Sequence, residues 1–530
     1  MLWLALHLPL LPLEAFCATL PALEAARPVV LIAEHRVALV NKTAAERGLR
    51  PGLKRATALA LAADLLLAES HPGREAAALQ AVLHAALAFT PAVTAHDAQT
   101  VLLEVQASLR LFGGLAMLRE RLATALQPLG HHVQMAAAPT ALGAALLAQW
   151  HPPKQPASPL RQIDRVLGTH ATQLPALQAL LLQAPVWLLG PGRAHWEALQ
   201  GMGLHTLADL QTLPRSGLAR RFGEDLLDDL DRALGLQADV RRWAELPAVF
   251  DSRLELFARA DTTEQVLHGA QVLLARLVAW AQARHARVAA FTLHMLHEKS
   301  RHATHPATEL QVALAEPSLD AAHLQVLLRE RLARLALIAP TLDLHLRCTQ
   351  LVAGHVPNGE LFPTRATEAM GLTHLLEHLR ARLGDEQVLR LIPVADYRPE
   401  RASLAVPAHG PVGGPLSGAG PEQAAAFAAA AAGADSLLPL HRPAWLLPEP
   451  LALADRDALP LLQGRPLQLL SGPERIETGW WDGAGVARDY YIAQNDDGSL
   501  VWVFRSRLPA AQAAPGAHDE PLWHLHGLFA

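Results

Sequence analysis

LWLALHLPLLPLEAF (residues 2–16) and TPAVTAHDAQTVLLEVQASLRLFGG (residues 90–114) are the two stretches on which the fold turns. The first has the apolar run of a secretory leader and small residues near Ala18, but no basic start. Pro9, Pro12 and Glu14 interrupt it, and the first Lys or Arg is Arg27. A buried strand accounts for the same letters, and no run reaches the ~20 apolar residues of a membrane span. The expectation is a cytoplasmic chain. The second stretch is strand-like and ends in Arg110-Leu111-Phe112-Gly113. Within it Asp97 and Gln99 stand two residues apart, so on a strand their side chains share a face.

Composition sets the frame. A chain of 530 residues forms several domains, and 51% apolar content, much of it Ala and Leu, gives a well-filled core. The net charge of −5 and pI near 6.6 exclude a nucleic-acid binder that works by bulk positive charge, so any grip on DNA is local. Cys17 and Cys348 are too few for a disulfide framework, and no CxxC spacing is present. The 27 histidines are scattered and read as surface or core fillers rather than ligands.

Three further segments carry pattern. NKTAAERGLRPGLKRATALALAADLLL (41–67) places glycine turns before a short helix, and AAAPTALGAALLAQ (136–149) enters a helix. WLLGPGRAHWEALQGMGLHTLADLQTLP (187–214) contains Gly201-Met202-Gly203-Leu204 between two helical stretches, the second over residues 208–213. Its two glycines permit φ > 0 and close approach of backbone amides to a phosphate. An ordinary αα-hairpin also needs a glycine at its bend. Residues 250–346 then read helix (264–283), strand (289–297), strand (309–315), helix (321–335) and strand (341–347).

Beyond these, Pro407 to Gly420 is a Pro/Gly-rich linker, and residues 424–434 are Ala-rich. HRPAWLLPEPLAL (441–453) is extended. In the tail, residues 476–481, 488–494 and 500–507 read as strands, with Asp497-Gly498 as a hairpin turn. Trp480, Trp481, Tyr490, Tyr491, Trp502 and Trp523 crowd there, as core or as a stacking platform.

In order, these segments resemble the Y-family (translesion) DNA polymerases. Laid through Glu14 and through Leu103-Glu104, the family's Asp-x-Asp and Asp-Glu pairs fall on Ala5 and His7, and on Gln99 and Thr100. Lys42 and Ala45 stand where the family grips the triphosphate with Tyr and Arg, and Ala141 and Ala145 replace two lysines. With the tail SGPERIETGWWDGAGVARDYYIAQNDDGSLVWVFRSRL (471–508) and WHLHGLFA (523–530), the chain resembles the ImuB family, non-catalytic Y-family-like subunits of the bacterial mutasome.

The resemblance implies an α+β multidomain fold: a palm over 1–165 with fingers inserted at about 17–75, a helix-hairpin-helix thumb over 166–240 and a little finger over 241–348. A linker follows over 349–440 and a β-rich module over 441–530. It implies no polymerase chemistry, no metal and no cofactor. Partners are weakly bound DNA, the sliding clamp, the error-prone C-family polymerase ImuC and an ImuA-type RecA-like protein, with no membrane. DNA contacts fall on Gly201, Gly203 and Leu204, and on Arg276, Arg284 and Arg287, which also read as a solvated helix face. Asn358, Leu361 and Phe362 in PNGELFP (357–363) match a clamp-binding peptide, or an ordinary loop. An active translesion polymerase using Asp97, and a DNA-binding structural protein without these partners, remain as alternatives.

Overall fold

A continuous apolar run bounded by Pro9 makes residues 3–7 a buried strand, and Pro12 opens the next helix. In this computed structural model the first segment runs β1 (Trp3–His7), α1 (Leu11–Cys17), β2 (Val29–Ala33), β3 (Arg36–Val40), α2 (Lys42–Glu46), α3 (Arg55–Leu61), β4 (Leu66–Glu69) and α4 (Pro72–Leu87). It continues with β5 (Val93–Asp97), β6 (Thr100–Glu104), α5 (Leu109–Phe112), α6 (Leu115–Leu126), β7 (Gln134–Ala138) and α7 (Ala141–Gln149). The structure describes residues 1–150 apart from 22 and 25, then 170–298, 307–354, 365–384, 386–408, 442–507 and 522–529. Among these, no helix is long and apolar enough to cross a membrane.

β1 lies inside an antiparallel sheet of order β5-β6-β1-β7, which is why its residues are buried on both faces. Leu4 and Leu6 enter the core with α4 and α6, while Trp3 and Ala5 face α7. The small sheet β3-β2-β4 sits in the insertion between β1 and β5. Six short helices between Leu174 and Leu234 follow among the described residues, and helix Glu224–Leu234 packs on α7.

Next come β8 (Phe250–Ala260), helix Thr263–Ala283, β9 (Ala286–His297), β10 (Ala307–Ser318), helix Ala321–Ala333 and β11 (Thr341–Ala353), with sheet order β10-β9-β11-β8. The sequence pattern located both helices and three of these strands. It missed β8, a sheet-edge strand whose alternate residues Asp251, Arg253 and Glu255 are polar.

The chain divides into two units, Met1–Glu368 and Ala369–Ala530, with the boundary inside helix Arg365–Leu383. That helix and the hairpin β12 (Leu389–Pro393) with β13 (Ser403–Pro407) lie where a linker was expected. Residues 409–441, with most of the Pro/Gly stretch and all of the Ala-rich one, fall outside the described residues.

The second unit is built on a seven-stranded sheet: β14 (Trp445–Arg456), β15 (Leu459–Leu462), β16 (Arg465–Pro466), β17 (Gln468–Thr478), β18 (Val486–Gln494), β19 (Leu500–Ser506) and β20 (Trp523–Leu528). Their order is β16-β15-β14-β20-β19-β18-β17. The expected aromatic core divides. Tyr490, Trp502 and Trp523 are buried, whereas Trp480 and Trp481 are 76% and 59% exposed in the β17–β18 connection, beyond the strand expected to hold them.

Candidate functional site

The β1–β6 pairing brings the expected polymerase positions together. His7 stands opposite Thr100 and Ala5 opposite Leu102, and Leu8 N donates to Gln99 O at 2.8 Å. Thr100 is fully buried, and its Oγ1 shares a 3.0 Å hydrogen bond with His7 Nδ1. Ala5 is equally buried, with Ala136 as its β7 neighbour. Helix α7 closes this face, because Ala141 and Ala145 share one apolar cluster with Ala5, Ala136 and Leu102. A lysine at either position would bury its ammonium without water, so both are core positions.

Carboxylates stand at the two ends of the face. Asp97 accepts from Gln99 N at 2.8 Å and from Gln149 Nε2 at 3.4 Å, a turn cap at the end of β5. Glu104 pairs with Trp3, and its Oε1 accepts from Leu2 N at 3.4 Å and Gln106 N at 3.2 Å. Thr100 neighbours Asp97 and Glu104 ends the strand, so about 13 Å of β6 separates the two ends. Two metal ions sharing ligands must sit about 3.5–4 Å apart, a spacing these two acids do not span.

Residues 239–244 lie along the outer edge of β5, which no spacing in the sequence announces. Ala244 N donates to Val93 O at 2.8 Å, Arg241 Nη1 contacts His96 Nδ1 at 3.0 Å, and Arg241 pairs with Asp239 at 2.6 Å. Trp243 stacks on Trp3 with centroids 5.8 Å apart. Burial holds the His96 pKa below the ordinary imidazole value, which favours its neutral form beside Arg241. In the insertion, Lys42 is 91% exposed and reaches Glu46 at 3.9 Å, while Asn41 caps α2 by accepting from Ala44 N at 2.8 Å.

The turn after helix Trp196–Gly201 corrects the amide-to-phosphate expectation. Gly203 has φ +79°, the left-handed conformation that requires glycine; Gly201 ends the helix with an ordinary φ. Every amide from Met202 to Asp209 already donates within the chain: Gly203 N to Gln200 O at 2.9 Å, Leu204 N to Leu199 O at 3.0 Å, and His205 N and Thr206 N to Asp209 Oδ2 at 2.9 and 2.8 Å. Leu204 is buried in the α7 cluster and anchors the turn instead of meeting a ligand. Backbone hydrogen bonding within the hairpin has taken the donors a phosphate needs.

Among the arginines expected to contact DNA, Arg276 is also corrected. It is 6% exposed, turned inward toward β8, and out of reach of a duplex backbone. Arg284 is exposed, lies 5.5 Å over the Trp280 ring and donates to Pro247 O at 2.9 Å; Arg287 is half-buried on β9 opposite Val352. Helical spacing put Arg276 and Arg284 near one face but does not say which face the sheet covers. Asn358, Leu361 and Phe362 lie outside the described residues.

Residues 13–149 match the impB/mucB/samB family. Two curated relatives, each named Protein ImuB and from Caulobacter vibrioides strains NA1000 / CB15N and ATCC 19089 / CIP 103742 / CB 15, are 30% identical over 513 residues. The alignment covers 91% of this chain and 100% of theirs. Among solved structures, the insertion ternary complex of Dbh DNA polymerase is similar with a TM-score of 0.37 at 14% identity, over 67% of this chain and 100% of that one. DinB from Sulfolobus solfataricus gives a TM-score of 0.35 at 16% identity, over 67% of this chain and 99% of the other.

Proposed function

The chain belongs to the ImuB family, and from that premise we propose that it is a polymerase-shaped adaptor that performs no nucleotidyl transfer. It sits on DNA and on the sliding clamp and brings the C-family polymerase ImuC, with an ImuA-type partner, to damaged template. The observation that carries this reading is the side-chain chemistry of Ala5, His7, Gln99 and Thr100, along β1 and at the start of β6. Two-metal transfer needs anionic oxygens to hold Mg²⁺ and lower the pKa of the attacking hydroxyl. A methyl, an imidazole, an amide and a hydroxyl supply no such charge.

Keeping a polymerase's outline without its metal ligands lets the protein occupy a stalled terminus without competing for chemistry. Several weak contacts in one chain then act through effective concentration. Asn358, Leu361 and Phe362 supply the clamp contact in this reading, with Leu361 and Phe362 as its apolar anchors. Primer extension in Mg²⁺ or Mn²⁺ is the direct test, and no incorporation is expected. Incorporation that disappears on Asp97→Ala would overturn the non-catalytic assignment. Pull-down with the clamp and a C-family polymerase tests recruitment, and a chain that retains neither is not an adaptor.

A further inference from the structure

Away from the β1–β6 face, the unit Met1–Glu368 contains a cavity of about 780 Å³ between α4 and β8. β8 bonds on one side to β11 and is the outer strand of its sheet, so the cavity runs along its free edge. Arg276 reaches this space from helix Thr263–Ala283. Only its Nη1 is held, at 3.3 Å from Ser252 Oγ and 3.5 Å from Arg253 O. No carboxylate among the described residues compensates it, and burial alone draws its pKa down to about 10. A buried cation without a counter-charge is costly to fold.

The opposite wall adds polar groups. Arg74 on α4 donates through Nη2 to Glu69 O at 2.9 Å, while its Nε is buried without a partner. His84, also on α4 and 6% exposed, leaves Nε2 unpartnered, and burial lowers its pKa to about 4, so it is neutral at pH 7. The acids of the wall face cations other than Arg276. Asp343 accepts from Arg253 Nε through Oδ2 at 2.7 Å and leaves Oδ1 buried without a partner, Asp251 meets His345 at 2.6 Å and Arg347 at 3.3 Å, and Glu255 acts on Arg74 across the wall. Arg276 makes no ion pair among the described residues. Phe16 and Phe257, edge-to-face with centroids 5.4 Å apart, give the cavity an apolar side.

We propose that this cavity binds a phosphate-bearing small molecule: its phosphoryl oxygens meet the Arg276 guanidinium, Ser252 and Arg74 donate beside it, and its organic body lies against Phe16 and Phe257. A doubly charged group with several acceptor oxygens matches two planar guanidinium forks better than a single carboxylate does. The volume suits a ligand of nucleotide size. Duplex DNA is excluded, because Arg276 is almost fully enclosed. An acidic peptide paired with the β8 edge is the competing occupant.

Calorimetry and thermal melting of the full chain without DNA test the site, using pyrophosphate, ADP, sulfate at matched ionic strength, and an acidic hexapeptide as probes. Saturable heat and a raised melting temperature are expected with pyrophosphate or ADP. Arg276→Met should weaken that binding by about tenfold or more, and Arg276→Lys should restore part of it. Arg276→Met removes an uncompensated charge and should melt no lower than the parent, which separates lost binding from lost folding. The proposal fails if pyrophosphate and ADP give no saturable heat, if Arg276→Met binds them equally, if only the peptide binds, or if sulfate matches both, which would mean an adventitious ion only.

Discussion

Ala5 is a methyl group under a helix of other small residues, and that packing sets what can replace it. Ala5→Asp puts a carboxylate at a fully buried position with no cation among its neighbours in the apolar cluster. Leaving a buried charge uncompensated costs about 3–5 kcal/mol. Urea unfolding should record a loss of that size with no gain of polymerase activity; a variant as stable as its parent that takes up Mg²⁺ would show the face to be open. Gly143, in that helix, sets two effects against each other. Alanine gains about 1 kcal/mol of helix propensity there. Its Cβ, however, would lie 2.4 Å from Thr140 Oγ1 and 2.8 Å from Leu177 Cδ2. Thr140 Oγ1 caps α7 by accepting from Gly143 N at 3.1 Å and donates to Ala233 O at 2.8 Å, so the methyl displaces both the cap and the tie to the following helices. Cap loss and overpacking together cost about 2–4 kcal/mol and outweigh propensity. Gly143→Ala should therefore lower the melting temperature, and an increase would mean that α7 can slide on its sheet.

At the scale of elements, the seven-stranded sheet has a titratable group at its centre. His526 on β20 is fully buried, and its Nδ1 shares a 2.7 Å hydrogen bond with Tyr490 Oη on β18. Burial holds the imidazole pKa down to about 4 and pushes the Tyr490 pKa up to about 12. The unfolded imidazole titrates near 6.5, above the folded value, so its contribution is complete above pH 6.5 and lost as the pH falls toward 4. Roughly 2–3 kcal/mol should disappear across that window, followed by near-ultraviolet circular dichroism of the buried Trp502. His526→Gln should flatten the slope, and an unchanged slope would assign the acid sensitivity to another group. Strands β18 and β19 of this sheet were legible because Arg488 to Gln494 and Leu500 to Ser506 are rich in aromatic and β-branched residues around a tight Asp497-Gly498 turn. β8 was not, since an edge strand solvated on one face shows polar letters that also suit a loop. Helix Arg365–Leu383 was missed beside neighbours rich in proline and glycine. Strand placement was readable from pattern, with Ala5, His7 and Thr100 falling on paired strands. Orientation was not: Arg276 and Leu204 became core residues only when a sheet and a helix closed over them.

The whole chain carries a net charge of −5, so the DNA binding proposed above rests on few contacts. Arg276 is withdrawn and the amides of the Gly201–Gly203 turn are spent, leaving exposed cations such as Arg220, Arg221 and Arg284. Neutralising about two to four phosphates gives a log K against log salt slope of roughly −2 to −4. Fluorescence anisotropy on a primer-template between about 50 and 200 mM salt measures that slope. A value steeper than about −6 would reveal a larger basic surface than these residues provide. Contacts this weak are useful only when a second tether holds the chain near DNA. In the proposed adaptor a clamp loaded on the same primer-template supplies one, because the second binding event becomes intramolecular and can raise apparent affinity by about 10²–10⁴. Adding clamp should therefore tighten DNA binding by the full chain, and Leu361→Ala/Phe362→Ala should return the affinity to its clamp-free value. An enhancement that survives the double substitution would place the clamp contact on another part of the chain.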